Sequence, residues 1–161
     1  MMTWLSRLWS GAKPLIEPAT IRDATRFAQI HGASFHRGWG EGEFESMLAE
    51  RNTLSHRLRL GRKTIGFAVS RIAADEAEIL SIAIAPGHRG RGLSHDLLLT
   101  HLGHLAARGA GAIFLEVEEN NQPARRLYER AGFAVVGRRE RYYRQAGGEQ
   151  LNALLMRRDL S

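Results

Sequence analysis

One strand-to-helix passage constrains this chain of 161 residues more than any other stretch. Glu78 to Ala85 (EILSIAIA) is nearly continuously apolar, which fits a central strand covered on both faces better than a half-exposed one. Pro86-Gly87-His88-Arg89-Gly90-Arg91-Gly92 stops that strand. Leu93, Leu97, Leu98, Leu102 and Leu105 then recur at helical spacing as far as about Arg108, and Gly109 is placed to end the helix. A buried strand feeding a helix with one apolar face needs a sheet beside it and a layer on each side. The fold class is therefore α/β, with helices on both faces of a mixed, mostly antiparallel central sheet.

The remaining elements agree. Leu15–Thr20 reads as a first strand and Ile21–Phe35 as a helix, with Asp23 in its first turn and Phe27, Ile30 and Ser34 at helical spacing. The glycine-rich stretch 36–42 is a loop, and a short helix follows with Phe44, Met47 and Leu48 on one side. Leu54, His56, Leu58 and Leu60, a Gly61-Arg62-Lys63 turn, then Ile65, Phe67 and Val69 read as an antiparallel hairpin. Ala73–Ala77 is a polar turn. Ala112–Glu118 is a strand, Pro123 opens another helix that Gly132 stops, and Phe133–Val136 and Leu151–Met156 are the last strands.

Composition narrows the chemistry. There is no cysteine, which excludes a thiol nucleophile, a disulfide framework and a thiolate-ligated metal, and fits a cytoplasmic setting. His101 and His104 stand three apart without a clear third ligand, so no metal is expected. No run of about 20 apolar residues exists to span a membrane. Trp4, Leu5, Leu8 and Trp9 have the spacing of a short interfacial helix, or of a terminus that docks its tryptophans on the domain; membrane binding is not the expectation. The formal charge is +6, and nine arginines fall between Arg125 and Arg158. That cluster reads either as a surface for an acidic or RNA-containing partner or as a solvated face. It lacks the interleaved aromatics of an RNA-binding sheet.

Two places carry chemistry. The turn Arg89-Gly90-Arg91-Gly92-Leu93-Ser94-His95 opens a helix, whose free N–H groups and positive dipole end attract phosphate, and glycine lets the backbone approach closely. It is neither a Walker loop, lacking Gly-Lys-Ser/Thr, nor a dinucleotide fingerprint, since His95 stands at the third glycine. The second place is Ile113-Phe114-Leu115-Glu116-Val117 with Asn121-Gln122-Pro123-Ala124-Arg125-Arg126-Leu127-Tyr128. Glu116 inside an apolar strand needs an arginine partner, a water or a catalytic task. Asn121 either caps the helix or binds a ligand, and Tyr128 is either a half-buried aromatic or a proton donor.

From Ala77 to about Asp159 the sequence resembles the GNAT superfamily of N-acetyltransferases, and within it the bacterial ribosomal-protein alanine N-acetyltransferases. The resemblance rests on Ala77–Pro86, Arg89-x-x-Gly92-x-Ser94, Leu115-Glu116-Val117, the string Asn121 through Tyr128 to Gly132-Phe133, and Gly137 to Tyr142-Tyr143. It implies one GNAT domain over residues 14–161 behind an N-terminal segment 1–13, with a splayed pair of central strands. It implies that acetyl-CoA binds at Ile82, Ala83 and Ile84, at Arg89, Gly90, Arg91, Gly92, Leu93, Ser94 and His95, and at Asn121. Glu116 would be the general base and Tyr128 the general acid. The acceptor would lie between the Arg37-Gly38-Trp39 loop and Arg141-Tyr142-Tyr143, with Trp39 and Tyr143 as substrate contacts. The implied activity is acetyl transfer to the N-terminal α-amine of a protein, of the ribosomal-protein type, with RNA contact a further option. The alternatives are transfer to a lysine or small-molecule amine, and a non-catalytic acetyl-CoA- or RNA-binding module. Two positions depart from the family pattern. Ser94 stands where the turn usually ends in Gly or Ala, and Asn152 where an acidic residue often precedes Ala153.

Overall fold

A computed structural model describes residues 12–141 and 151–160. Seven strands form one sheet in the order β1-β2-β3-β4-β5-β7-β6. They are β1 (Pro14–Pro18), β2 (Thr53–Leu60), β3 (Lys63–Ala73), β4 (Glu76–Ile84), β5 (Ala112–Glu118), β6 (Ala134–Arg141) and β7 (Leu151–Asp159). Among the described residues there are four α-helices: α1 (Ala24–Ser34), α2 (Glu41–Ala49), α3 (Leu93–Ala107) and α4 (Gln122–Arg130). All neighbouring strands are antiparallel except β4 and β5, which run parallel and are joined through α3. The α/β expectation holds, with strands that run longer than the apolar patterns suggested. The expected Ala73–Ala77 turn shrinks to Ala74-Asp75, where Ala74 takes φ 55°. Backbone pairing carries the strands through the polar residues Glu76, Arg138 and Arg139.

Strand alternation sorts the side chains into two cores. Ala68, Ile82, Ile84, Ile113, Leu115, Val117, Leu154 and Met156 point to the face covered by α3 and α4, against Leu97, Leu98, Leu102 and Leu105. Phe67, Val69, Ala83 and Ala85 point to the opposite face, where Phe27 of α1 and Phe44 of α2 cover them. Phe27 stacks on Phe67 at 4.7 Å and meets Phe44 edge-on at 6.0 Å.

The β4–β5 seam opens partway along. Pairing runs from Glu76↔Ala112 to Ile79↔Leu115 and stops. At that level β4 holds an extra residue: Val69 pairs with Ser81 and Ser70 with Ile79, so Leu80 is a bulge. A bulge bends its strand and increases the local twist, which turns the upper half of β4 away from β5.

Candidate active site

Beyond the bulge, β4 keeps β3 on one edge and, among the described residues, pairs with no strand on the other. The Ala85 N–H points to β3, bonding Ile65 O at 2.7 Å. Alternation therefore turns the N–H groups of Ile84 and Ile82 toward the gap. A cleft of about 790 Å³ fills this gap. Of the residues singled out in the sequence, it gathers Ile82, Ala83, Ile84, Arg89, Gly90, Ser94, Glu116, Asn121 and Tyr128 along its walls. Arg91, Gly92, Leu93 and His95 stand in the adjoining turn and first helical residues without lining it.

At that turn, Gly90 and Gly92 have φ 78° and 76°, a left-handed conformation that costs any other residue roughly 1–2 kcal/mol. Gly92 is the N-cap of α3, so the free N–H groups of its first turn face outward without a side-chain cap. Arg89 is already engaged. Its Nε donates to Ile84 O at 3.0 Å and its Nη2 to Ser34 Oγ at 2.8 Å, bracing the end of β4 against the end of α1. Asn121 takes the capping role and stands beside the cleft as well. Its Oδ1 accepts from Ala124 N at 3.2 Å as the cap of α4, and it borders the cleft.

Tyr128 is 8% exposed, with its ring edge against Phe133 at 5.9 Å. Burial pushes its phenol well above the ordinary tyrosine range, which keeps the proton on the oxygen. Glu116 alternates with the core residues Leu115 and Val117, so it projects to the α1/α2 face while Tyr128 comes from the α3/α4 face. Its Oε1 lies 3.0 Å from Arg139 Nη1, and the two side chains are 28% and 68% exposed. The arginine partner anticipated for a strand carboxylate is thus present, on a side chain free to swing into solvent. The cleft is therefore bordered from both faces of the sheet, by the Tyr128 phenol on one and the Glu116 carboxylate on the other.

Trp39 does not line the cleft; it packs on His31 of α1, with ring centroids 4.5 Å apart. Tyr143 and residues 1–11 lie outside the described residues. The wall nearest Trp39 is made instead by Phe35 and His36, which nothing in the sequence marked. Asn152 also lines the cleft; its Nδ2 donates to Glu119 Oε2 at 3.2 Å, and so does Arg138 Nη2 at 3.1 Å. Of the arginine cluster, Arg138, Arg139 and Arg157 face carboxylates within the chain. His56 of β2 meets His101 and His104 of α3, a grouping hidden in the sequence by a separation of 45 positions between His56 and His101. Even so, no group of three or more His, Asp or Glu side chains among the described residues is arranged to hold a metal ion. Among them, too, no helix is long and apolar enough to cross a membrane.

An open parallel seam, a glycine-rich helix start and a cleft lined by a carboxylate and a phenol are what the sheet and its helices bring together here. Residues 24–133 match the acetyltransferase (GNAT) family, and the chain belongs to that family. It is 36% identical over 154 residues to the N-alpha-acetyltransferase RimI of Mycobacterium tuberculosis, covering 89% of this chain and 94% of that one. It is 34% identical over 134 residues to the [ribosomal protein bS18]-alanine N-acetyltransferase of Haemophilus influenzae, covering 83% and 90%. Its structure superposes on that of the ribosomal-protein-S18-alanine N-acetyltransferase from Escherichia coli with a TM-score of 0.86, at 28% identity and 92% and 95% coverage.

Proposed function

We propose that this chain transfers the acetyl group of acetyl-CoA to the N-terminal α-amine of a protein, a ribosomal protein with an N-terminal alanine being the favoured acceptor. One observation carries the reading: Glu116 and Tyr128 border the same cleft from opposite faces of the sheet. The relatives that bear ribosomal-alanine names, in three bacteria, support the choice of acceptor.

The residues present fit a CoA thioester. The N–H groups of Ile82 and Ile84 would meet the arm and the carbonyl, the Gly90–His95 turn would meet the pyrophosphate, and the Asn121 amide would meet the arm near α4. Acetyl-CoA supplies the activated acyl group. The acceptor amine enters at the Glu116 mouth, and Glu116 takes its proton directly or through one water. An α-amine has a pKa of about 8 and a lysine about 10.4, so the neutral fraction at pH 7 is on the order of 10²-fold larger for the α-amine. A surface carboxylate is therefore a sufficient base for the first and a poor one for the second. As charge develops on the carbonyl oxygen, the N–H group of Ile82 or of Ile84 donates to it. Tyr128, kept protonated by burial, gives its proton to the departing thiolate.

The test is acetyl transfer to a synthetic peptide that begins with alanine and carries an internal lysine, followed by mass spectrometry. Acetylation at the α-amine alone is expected. Modification of the lysine, or equal rates on an N-terminally blocked peptide, transfers the assignment to a lysine acetyltransferase.

A further inference from the structure

The Phe35–His36 wall belongs to a loop of six residues, 35–40, that runs between α1 and α2. Its hold comes from one buried histidine. His31, in the last turn of α1, is 3% exposed, and its Nδ1 accepts the backbone N–H of Trp39 at 3.0 Å. The imidazole lies between two rings of the same loop, Phe35 at 4.4 Å and Trp39 at 4.5 Å, and rests edge-on against Phe44 of α2 at 5.5 Å. The loop also folds back closely onto α1: a Cβ added at Gly38 would stand 3.1 Å from Gly32 Cα. At its other end Ser34 accepts from Arg89 and donates to Ile30 O at 2.7 Å. The loop is pinned at both ends, and the exposed residues between the pins form the wall on the Glu116 side of the cleft.

We propose that His31 is a positioning residue for the acceptor amine: its Nδ1 holds the Trp39 N–H so that Phe35 and His36 stand as a fixed wall at the acceptor mouth. The inference rests on the function proposed above, in which the amine enters at that mouth. Accepting at Nδ1 places the ring proton on Nε2, so His31 acts as a neutral imidazole. Burial favours that form and brings its pKa down to about 4, against a weaker opposing pull from Glu43 on α2. The aromatic contacts alone would be served by any flat ring; the acceptor atom is what a histidine adds.

Three variants separate these contributions. His31→Asn places an amide oxygen where Nδ1 was, His31→Leu removes the acceptor, and Gly38→Ala crowds Gly32 Cα, so that the loop must shift by a few tenths of an ångström, without touching the histidine. For His31→Leu, the KM for the alanine-starting peptide is expected to rise about tenfold, with the KM for acetyl-CoA unchanged and kcat within about twofold. Gly38→Ala should reproduce that signature in a chain whose core is intact, and His31→Asn should restore most of the peptide KM. An unchanged peptide KM in both His31→Leu and Gly38→Ala, or a His31→Asn as impaired as His31→Leu, overturns the inference while the wild-type activity stands. A wild type that binds acetyl-CoA and acetylates no amine overturns the function and this inference with it.

Discussion

The paired and the parted halves of the β4–β5 seam are the instructive contrast. From Glu76 to Ile79 the strands are bonded to one another, and Ala77, Ile79, Ile113 and Leu115 all enter the core under α3 and α4. Past Leu80 the bulge shifts the inward set of β4 by one residue, so Ile82 and Ile84 join Val117 in the same core, yet the backbone edges face a cleft and the opposite side carries Glu116. One bulged residue separates the two regimes. The site is thus made by parting the backbone while one face of the core stays continuous, so stability and chemistry reside in different atoms of the same strands.

That separation can be broken from either half. The largest effect is expected in the parted half. Glu116→Gln and Tyr128→Phe should each lower kcat by roughly 10²–10⁴, with acetyl-CoA binding by calorimetry nearly unchanged. In the paired half, Leu115→Ala removes a fully buried side chain at the last bonded position and should cost about 2–5 kcal/mol in denaturant unfolding. If this substitution leaves stability intact and abolishes turnover, the division is wrong.

A third measurement concerns the core under α3. The Nδ1 atoms of His56 and His101 lie 2.7 Å apart, and Ser70 Oγ is 2.6 Å from His101 Nε2. Burial lowers the pKa of His56 to about 4 and of His101 to about 3, so the folded state keeps both neutral where the unfolded chain, with the ordinary value near 6.5, binds protons. Their contribution is complete above about pH 6.5 and is lost progressively as pH falls toward 4. Urea midpoints measured from pH 7.5 to 4.5 should fall in that direction; a flat profile refutes it. The smallest effect is at Gly92, where alanine should cost roughly 1–2 kcal/mol of local strain, read as a raised KM for acetyl-CoA with little change in the peptide KM.

The sequence made the local devices legible. Gly92 at a helix start, Asn121 ahead of Pro123, the leucine spacing of α3 and a carboxylate inside an apolar strand each carry their signal within a few residues. Long-range meetings carry no such signal. Trp39 looked available to a substrate because nothing nearby in the chain shows that His31 and Phe44 receive it. The brace from Arg89 to Ser34 was hidden because it spans 55 positions. The Phe35–His36 wall follows from where the loop is pinned, and the opening of the seam depends on one extra residue in β4, which periodicity alone does not register.

The two-faced border of the cleft has a kinetic consequence. On the function proposed above, donor and acceptor would reach the reacting centre from opposite faces without crossing each other's route, and the two could be held together. Because acetyl then moves directly from thioester to amine, no acylated form of the protein is needed between them. Initial rates at several concentrations of each reactant should give intersecting double-reciprocal lines, and parallel lines would instead require a covalent stop on the protein.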